Sequence, residues 1–352
     1  MTPNSRQRKA SSTTRRPGRT HTRAKLHGSL AAIGALVAGA LVFGPAPAAQ
    51  AETPIEEVAD FGQNPGDLGM YVYEPASLPE NAPVVVAMHG CTQSAQVYAD
   101  NSGLSKMADE HGFLLVLPQT GGSNNPNNCF NWFQGTDNKR DQGEAASVRQ
   151  MVAHAEEAYG ADAKRTYVTG LSAGGAMTSV MLATYPEVFE AGAVVAGLPY
   201  DCASGSSPFI CMSPGVDQSP EEWAQRVKDA APDHQGPWPR VAIWHGDEDG
   251  TVVPMNADEL RDQWTAVHGA DQKPDSTSTI GPNDTQRERY QNADGEPVVE
   301  VDRVPGIDHG TPVDPGSEAK QCGATGTEHF IDSICSSYWI TEFFGMTGGA
   351  SR

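Results

Sequence analysis

The chain has 352 residues, a formal net charge of -20 at pH 7 and six cysteines. So acidic a balance excludes a nucleic-acid partner, which would demand a basic surface. An even cysteine count with no C-x-x-C pair and no His-Cys cluster argues for disulfides in an oxidising compartment and against a zinc site.

The first 51 residues carry eight Lys or Arg and no Asp or Glu, with an apolar run from Leu30 to Phe43 and a small-x-small site at Ala49-Gln50-Ala51. This is the layout of a signal peptide, and the run is shorter than the roughly 20 apolar residues of a membrane span. Residues 1–51 are therefore expected to be removed on secretion, leaving 52–352 as an extracellular catalytic domain with no membrane attachment. Arg15-Arg16 is followed by Pro17-Gly18 and lies well ahead of the apolar run, so general secretion is expected over twin-arginine export. Loss of the leader takes the net charge from -20 to -28.

From Asn81 onward, short apolar runs alternate with longer helical stretches, the pattern of a mostly parallel sheet flanked by helices. Strands are expected at Pro83 to Met88, Phe113 to Leu117, Thr166 to Leu171, Ala191 to Val195, Val241 to Trp244 and Val298 to Val304. Several are unbroken apolar runs, as central strands buried on both faces should be. Helices are expected at Glu144 to Tyr159, Ala173 to Thr184, Pro220 to Ala230, Asn256 to His268 and Ser336 to Phe344. Gly121 to Arg140 and Lys273 to Glu296 read as surface loops or insertions, being polar and rich in turn residues. With no internal repeat and no linker, a single α/β domain is expected.

Gly170-Leu171-Ser172-Ala173-Gly174 is a G-x-S-x-G motif between an expected strand and an expected helix, the context of a nucleophile elbow in an α/β-hydrolase. A serine hydroxyl needs a base, and in this fold the acid and then the histidine follow the serine in chain order. His309, in a Gly-flanked loop just after the strand ending at Val304, is the candidate base, whereas His268 and His329 read as ordinary surface or capping residues. Asp249 is the candidate acid, because it sits deepest in the loop after Val241 to Trp244; Asp247 and Glu248 compete for the role. Its task is to hold the imidazole tautomer. The oxyanion hole needs two backbone N–H groups, for which Ala173 and Cys91 are the candidates. His89 precedes the serine and reads as a structural residue of the oxyanion loop. Trp132 and Phe133 are candidate substrate-binding aromatics, with core packing as the alternative, and Trp244 and Trp339 read as core. No cofactor and no metal is called for.

Six cysteines allow fifteen pairings, and sequence alone selects none. Short separations favour Cys202 with Cys211 and Cys322 with Cys335, which leaves Cys91 with Cys129.

His89-Gly90-Cys91-Thr92-Gln93, Asn128 to Phe133, Gly170 to Gly175, Trp244-His245-Gly246 through Asp249 to Val252, His309 to Val313 and Cys322 to Tyr338 together resemble the secreted polyhydroxybutyrate depolymerase-like esterases, relatives of the feruloyl and acetylxylan esterases of carbohydrate esterase family one. The resemblance implies the triad Ser172, Asp249 and His309, a Cys91 oxyanion donor and the same disulfide pairing. It leaves the ester open between a hydroxycinnamoyl polysaccharide and a polyester. Members that degrade solid polyester commonly carry a separate substrate-binding domain, and the chain ends at Arg352 soon after its catalytic elements, so feruloyl or related plant cell-wall esters are the expected substrates. Polyester depolymerisation is the alternative, and acyl transfer to a sugar hydroxyl the alternative of another class.

Overall fold

Six strands, most of them apolar runs, make the parallel centre of a ten-stranded sheet in the computed structural model, which describes residues 52–347. The expected signal peptide lies outside those residues. In chain order the sheet takes β1 (Glu56–Val58), β2 (Gly69–Tyr73), β3 (Val84–Met88), β4 (Leu114–Gln119), β5 (Thr166–Leu171), β6 (Ala191–Val195), β7 (Arg240–Gly246), β8 (Ser276–Ile280), β9 (Thr285–Gln291) and β10 (Pro297–Val304). A separate parallel pair is formed by β11 (Thr311–Val313) and β12 (Phe330–Asp332). The helices are α1 (Ala95–Asn101), α2 (Leu104–His111), α3 (Gly143–Ala158), α4 (Ala173–Thr184), α5 (Pro208–Met212), α6 (Pro220–Ala230), α7 (Met255–His268) and α8 (Ser336–Phe343).

Side chains of successive strand residues point to opposite faces, and β3 distributes its five residues accordingly. Val84, Val86 and Met88 pack with Val148 and Met151 of α3, Met177 and Val180 of α4, Trp223 of α6 and Trp264 of α7. Val85 and Ala87 pack on the other face with Tyr98 of α1, Met107 of α2 and Ile340 of α8. Both faces being covered, the central strands need no polar residues, which is why they stood out in the sequence.

The spatial order is β1-β2-β4-β3-β5-β6-β7-β10-β9-β8. The chain leaves β3 toward β4 on one side and returns to place β5 on the other, so the direction of winding reverses between β3 and β5. Ligands of open α/β sheets bind at such a switch point, beyond the carboxyl ends of the strands. Registers Met88 with Gly170, Leu171 with Val195, Val195 with Trp244 and Gly246 with Val304 bring the carboxyl ends of β3, β5, β6, β7 and β10 level along one edge.

One expectation is corrected. Lys273 to Glu296, read as a surface loop, contains the antiparallel hairpin β8–β9, which extends the sheet beyond β10. The buried positions of β9 are Thr285, Arg287 and Tyr290, the first two polar and the third displaced by a register shift opposite Pro297 and Val299, so neither hydropathy nor strict alternation announces the strand. Gly121 to Arg140 holds no helix or strand, as expected.

Among the described residues no helix is long and apolar enough to cross a membrane. The structure pairs Cys91 with Cys129, Cys202 with Cys211 and Cys322 with Cys335.

Candidate active site

β5 ends at Leu171 and α4 begins at Ala173, so Ser172 must turn the chain within one residue. It does so at φ 55°, ψ -114°, a backbone conformation that costs a non-glycine residue of the order of 1–3 kcal/mol and is tolerated where the surroundings fix it. The Ser172 N–H donates to Val195 O at the end of β6, 2.9 Å away. Two glycines make room for the turn. A Cβ on Gly170 would lie 2.5 Å from the Gly174 carbonyl, and one on Gly174 would collide with the Met88 carbonyl of β3. The elbow is thus pressed against the strand that carries the loop of Cys91, the candidate oxyanion donor.

Asp249 and His309 arrive on the loops after β7 and β10. His309 Nδ1 lies 2.8 Å from Asp249 Oδ2. A carboxylate only accepts, so Nδ1 carries the proton and Nε2 keeps its lone pair for use as a base. The other Asp249 oxygen accepts the N–H groups of Thr251 and Val252 at 2.9 and 2.8 Å. Burial would raise this carboxyl, but hydrogen bonds from His245 and His309 outweigh it and hold it well below the usual carboxylate range. Asp249 therefore stays ionised beside the imidazole.

The competing carboxylates do other things. Asp247 is exposed and accepts the Gly306 N–H, and Glu248 is exposed, its N–H donating to Ile307 O. Asp308 accepts the N–H groups of Gly250 and His309, clasping the acid loop to the base loop. His329 braces the base loop from the far side, with Nδ1 3.0 Å from His309 O and the two rings 5.6 Å apart. His268 Nε2 lies 3.0 Å from Pro239 O, away from these loops, where burial holds the imidazole down at about 4.

Cys91 follows β3 in a turn closed by Gln93 N–H on Gly90 O and by Gly90 N–H on Gln93 Oε1. His89 is fully buried in that turn. Its Nδ1 donates to Gly90 O at 2.8 Å, its Nε2 faces the Thr120 N–H at 3.4 Å, and its ring lies against Phe130. Burial depresses it to about 4, so it is a neutral fastener of the loop. In a trans peptide C=O and N–H point opposite ways, so fixing Gly90 O also fixes the direction of the Cys91 N–H. The Cys91–Cys129 disulfide and the Thr92 N–H to Asn127 O bond, 2.7 Å, tie the turn to the loop after β4.

Trp132 and Phe133 do not form the open aromatic rim that one reading of the sequence expected. Trp132 is buried in the core, edge-on to Phe133 at 5.4 Å, and Phe133 alone keeps partial exposure. Trp244 and Trp339 are buried, as expected.

Two residues escaped the sequence reading. His245, the penultimate residue of β7, is buried with Nε2 2.7 Å from Val252 O and 3.4 Å from Asp249 Oδ2. Val252 O can only accept, so Nε2 carries the proton and braces the acid loop from beneath. Glu144, at the start of α3, is fully buried and accepts both the backbone and side-chain N–H of Asn131 at 2.7 and 3.0 Å, anchoring the segment that holds Trp132. Its signal was an acid in the first turn of the helix, followed by Ala145 and Ala146, which the apolar periodicity of the helix concealed.

Comparison with known proteins gives a consistent set. The family described as Esterase PHB depolymerase matches residues 68–288. The poly(3-hydroxyalkanoate) depolymerase C of Paucimonas lemoignei is 47% identical over 295 residues, covering 84% of this chain and 70% of that protein. The feruloyl esterase B of Talaromyces stipitatus is 31% identical over 303 residues, covering 84% of this chain and 76% of that protein. Among solved structures, an acetyl xylan esterase from Aspergillus awamori matches with a TM-score of 0.66 and 31% identity, over 73% of this chain and 94% of that one.

Proposed function

The chain belongs to the esterase PHB depolymerase family, as an α/β-hydrolase and serine carboxylic-ester hydrolase, and on that premise we propose that it cleaves polyhydroxyalkanoate esters through an acyl-enzyme on Ser172. The observation that carries the substrate reading is the 47% identity to a poly(3-hydroxyalkanoate) depolymerase across most of the chain. It outweighs the sequence-based expectation of feruloyl esters. Hydroxycinnamoyl esters stand as a second reading, favoured by the similarity to a feruloyl esterase.

In this mechanism His309 Nε2 takes the Ser172 proton as Oγ attacks the ester carbonyl. Asp249 holds the Nδ1–H tautomer and stabilises the imidazolium that forms. The Cys91 and Ala173 N–H groups receive the oxyanion, the latter from the first turn of α4, where the helix leaves its N–H groups without intrahelical partners. His309 then returns the proton to the leaving alcohol, and water repeats the sequence to release the acid. Phe133 is the aromatic left to line the acyl or alcohol side. The three disulfides and the leader composition support secretion with cleavage before Glu52, which the mass of the exported protein would check.

The decisive experiment compares the purified mature protein with Ser172→Ala on methyl ferulate and on a poly(3-hydroxybutyrate) suspension. The expected outcome is serine-dependent acid release from the suspension, with kcat lowered by several orders of magnitude in the variant. Release from ferulate alone would move the assignment to the cell-wall esters, and a Ser172→Ala protein that keeps its activity would remove the assignment altogether.

A further inference from the structure

Among the described residues the large apolar side chains left exposed are Phe209, 77% exposed, and Ile210, 48% exposed. They are adjacent, and they sit on α5 in the excursion that follows β6, the strand between the elbow strand β5 and the acid strand β7. The turn that carries them is held firmly. Ser207 caps it by accepting the Phe209 N–H, Pro208 starts it, and the buried Cys211 is bonded to Cys202. Its last residue offers a carbonyl, Met212 O, to the Val253 N–H at 3.0 Å and to Asn256 Nδ2 at 3.3 Å. Val253 follows Val252, whose N–H is bound by Asp249, so the turn is pinned to the loop of the candidate acid.

We propose that Phe209 and Ile210 form an apolar contact by which the enzyme seats its catalytic edge on the surface of a water-insoluble aliphatic polyester. The proposal rests on the polyester reading given above and names the surface that reading lacks. Three observations favour this occupant. The side chains project from a rigid turn rather than line a hollow, so they suit a flat solid and not a small soluble ester. The chain carries a net charge of -20, which repels anionic lipid or acidic polysaccharide and leaves an uncharged polymer unopposed. Two side chains offer only a few hundred Å² of apolar area, roughly 150–250 Å² for an aromatic, far less than the roughly 1,200 Å² or more of a stable dimer interface. On a solid, by contrast, a weak contact suffices, because each release leaves the enzyme beside an unlimited run of identical sites.

The test uses Phe209→Ser/Ile210→Ser, with Phe209→Leu/Ile210→Leu as the conservative pair. Turnover is measured on p-nitrophenyl butyrate and on a poly(3-hydroxybutyrate) film, and adsorption to the film is measured with Ser172→Ala added to each. The expected result is unchanged soluble turnover, with film adsorption and film hydrolysis both reduced at least fivefold by the serines and retained by the leucines. Film adsorption and hydrolysis equal to the parent's with both serines in place would overturn the proposal while the polyester reading stands. A parent that releases nothing from the film overturns the polyester reading, and the proposal with it. Conversion of a parent dimer to monomer by the serines in sedimentation, or loss of binding to phosphatidylcholine vesicles with the film unaffected, would assign the patch to a second copy or to a lipid surface and likewise overturn it.

Discussion

Glu144 illustrates how one buried group couples pH to the site without taking part in its chemistry. Its carboxyl is fully buried, and burial, only partly offset by the two Asn131 N–H groups, raises it to about 8 from a reference of 4.5. Between those values the folded chain holds a proton that the unfolded chain has released, so stability is complete below about 4.5 and declines as pH rises toward about 8. Asp249 has the opposite sign. Held below the carboxylate range, it contributes its full stability above the ordinary value of 3.8 and loses it progressively as pH falls from there toward its own depressed value. Glu144→Gln keeps an acceptor for Asn131 and has no proton to lose. The difference between its thermal midpoint and the parent's is expected to move in the variant's favour as pH rises from about 4.5 to about 8, the contributions of His89 and His268 being common to both, with unfolding monitored by circular dichroism at several pH values; a difference that does not change with pH would show that Glu144 is ionised in the fold. Residues of this kind are hard to read in sequence. Ser172, Asp249 and His309 could be put forward as candidates because chain order and flanking strands constrain them, whereas Glu144 and His245 acquire their meaning only from what surrounds them.

Elements were legible where apolar continuity announced them. Thr166 to Leu171, Ala173 to Thr184 and Ala191 to Val195 coincide with β5, α4 and β6 residue for residue. The hairpin β8–β9 was not, because its buried centre is ionic. Arg287 is 2% exposed, donates to Asp302 at 2.7 and 3.0 Å, lies 2.9 Å from Glu300, and has the Trp339 ring 5.1 Å from its guanidinium. Burial and the adjacent Glu300 push the Asp302 carboxyl well above its usual range, and Arg287 is the counter-charge that holds the cluster together. Removing one member of such a cluster costs about 3–5 kcal/mol, because the remaining charge stays buried and unmatched. Arg287→Met is therefore expected to lose an amount of that order in denaturant unfolding. Arg287→Met/Asp302→Leu should regain much of it, since Glu300 keeps Arg289 at 2.7 Å. A single variant as stable as the parent would mean the hairpin is held by its strand pairing alone.

For the molecule as a whole, the winding order gathers Cys91, Ser172, Asp249 and His309 from four separate loops at one edge, and the disulfides fasten the excursions around that edge. Their loops span 38, 9 and 13 residues. In the chain-entropy model each closure is worth roughly 2.5–4 kcal/mol, a large part of the roughly 5–15 kcal/mol by which domains are stable. Treatment with dithiothreitol should therefore lower the thermal midpoint by about 10 °C or more. The three bonds are expected to differ in what they protect. Cys91–Cys129 secures the turn of the candidate oxyanion donor, so Cys91→Ser/Cys129→Ser should lower kcat on soluble and solid esters alike. Cys202–Cys211 closes the shortest loop and holds the turn of Phe209 and Ile210, so Cys202→Ser/Cys211→Ser should cost the least stability of the three yet reduce film hydrolysis more than p-nitrophenyl butyrate turnover. Equal losses on both substrates in that last variant would mean that α5 supports the acid loop and not the approach to the solid, because the same turn bonds Val253 through Met212 O.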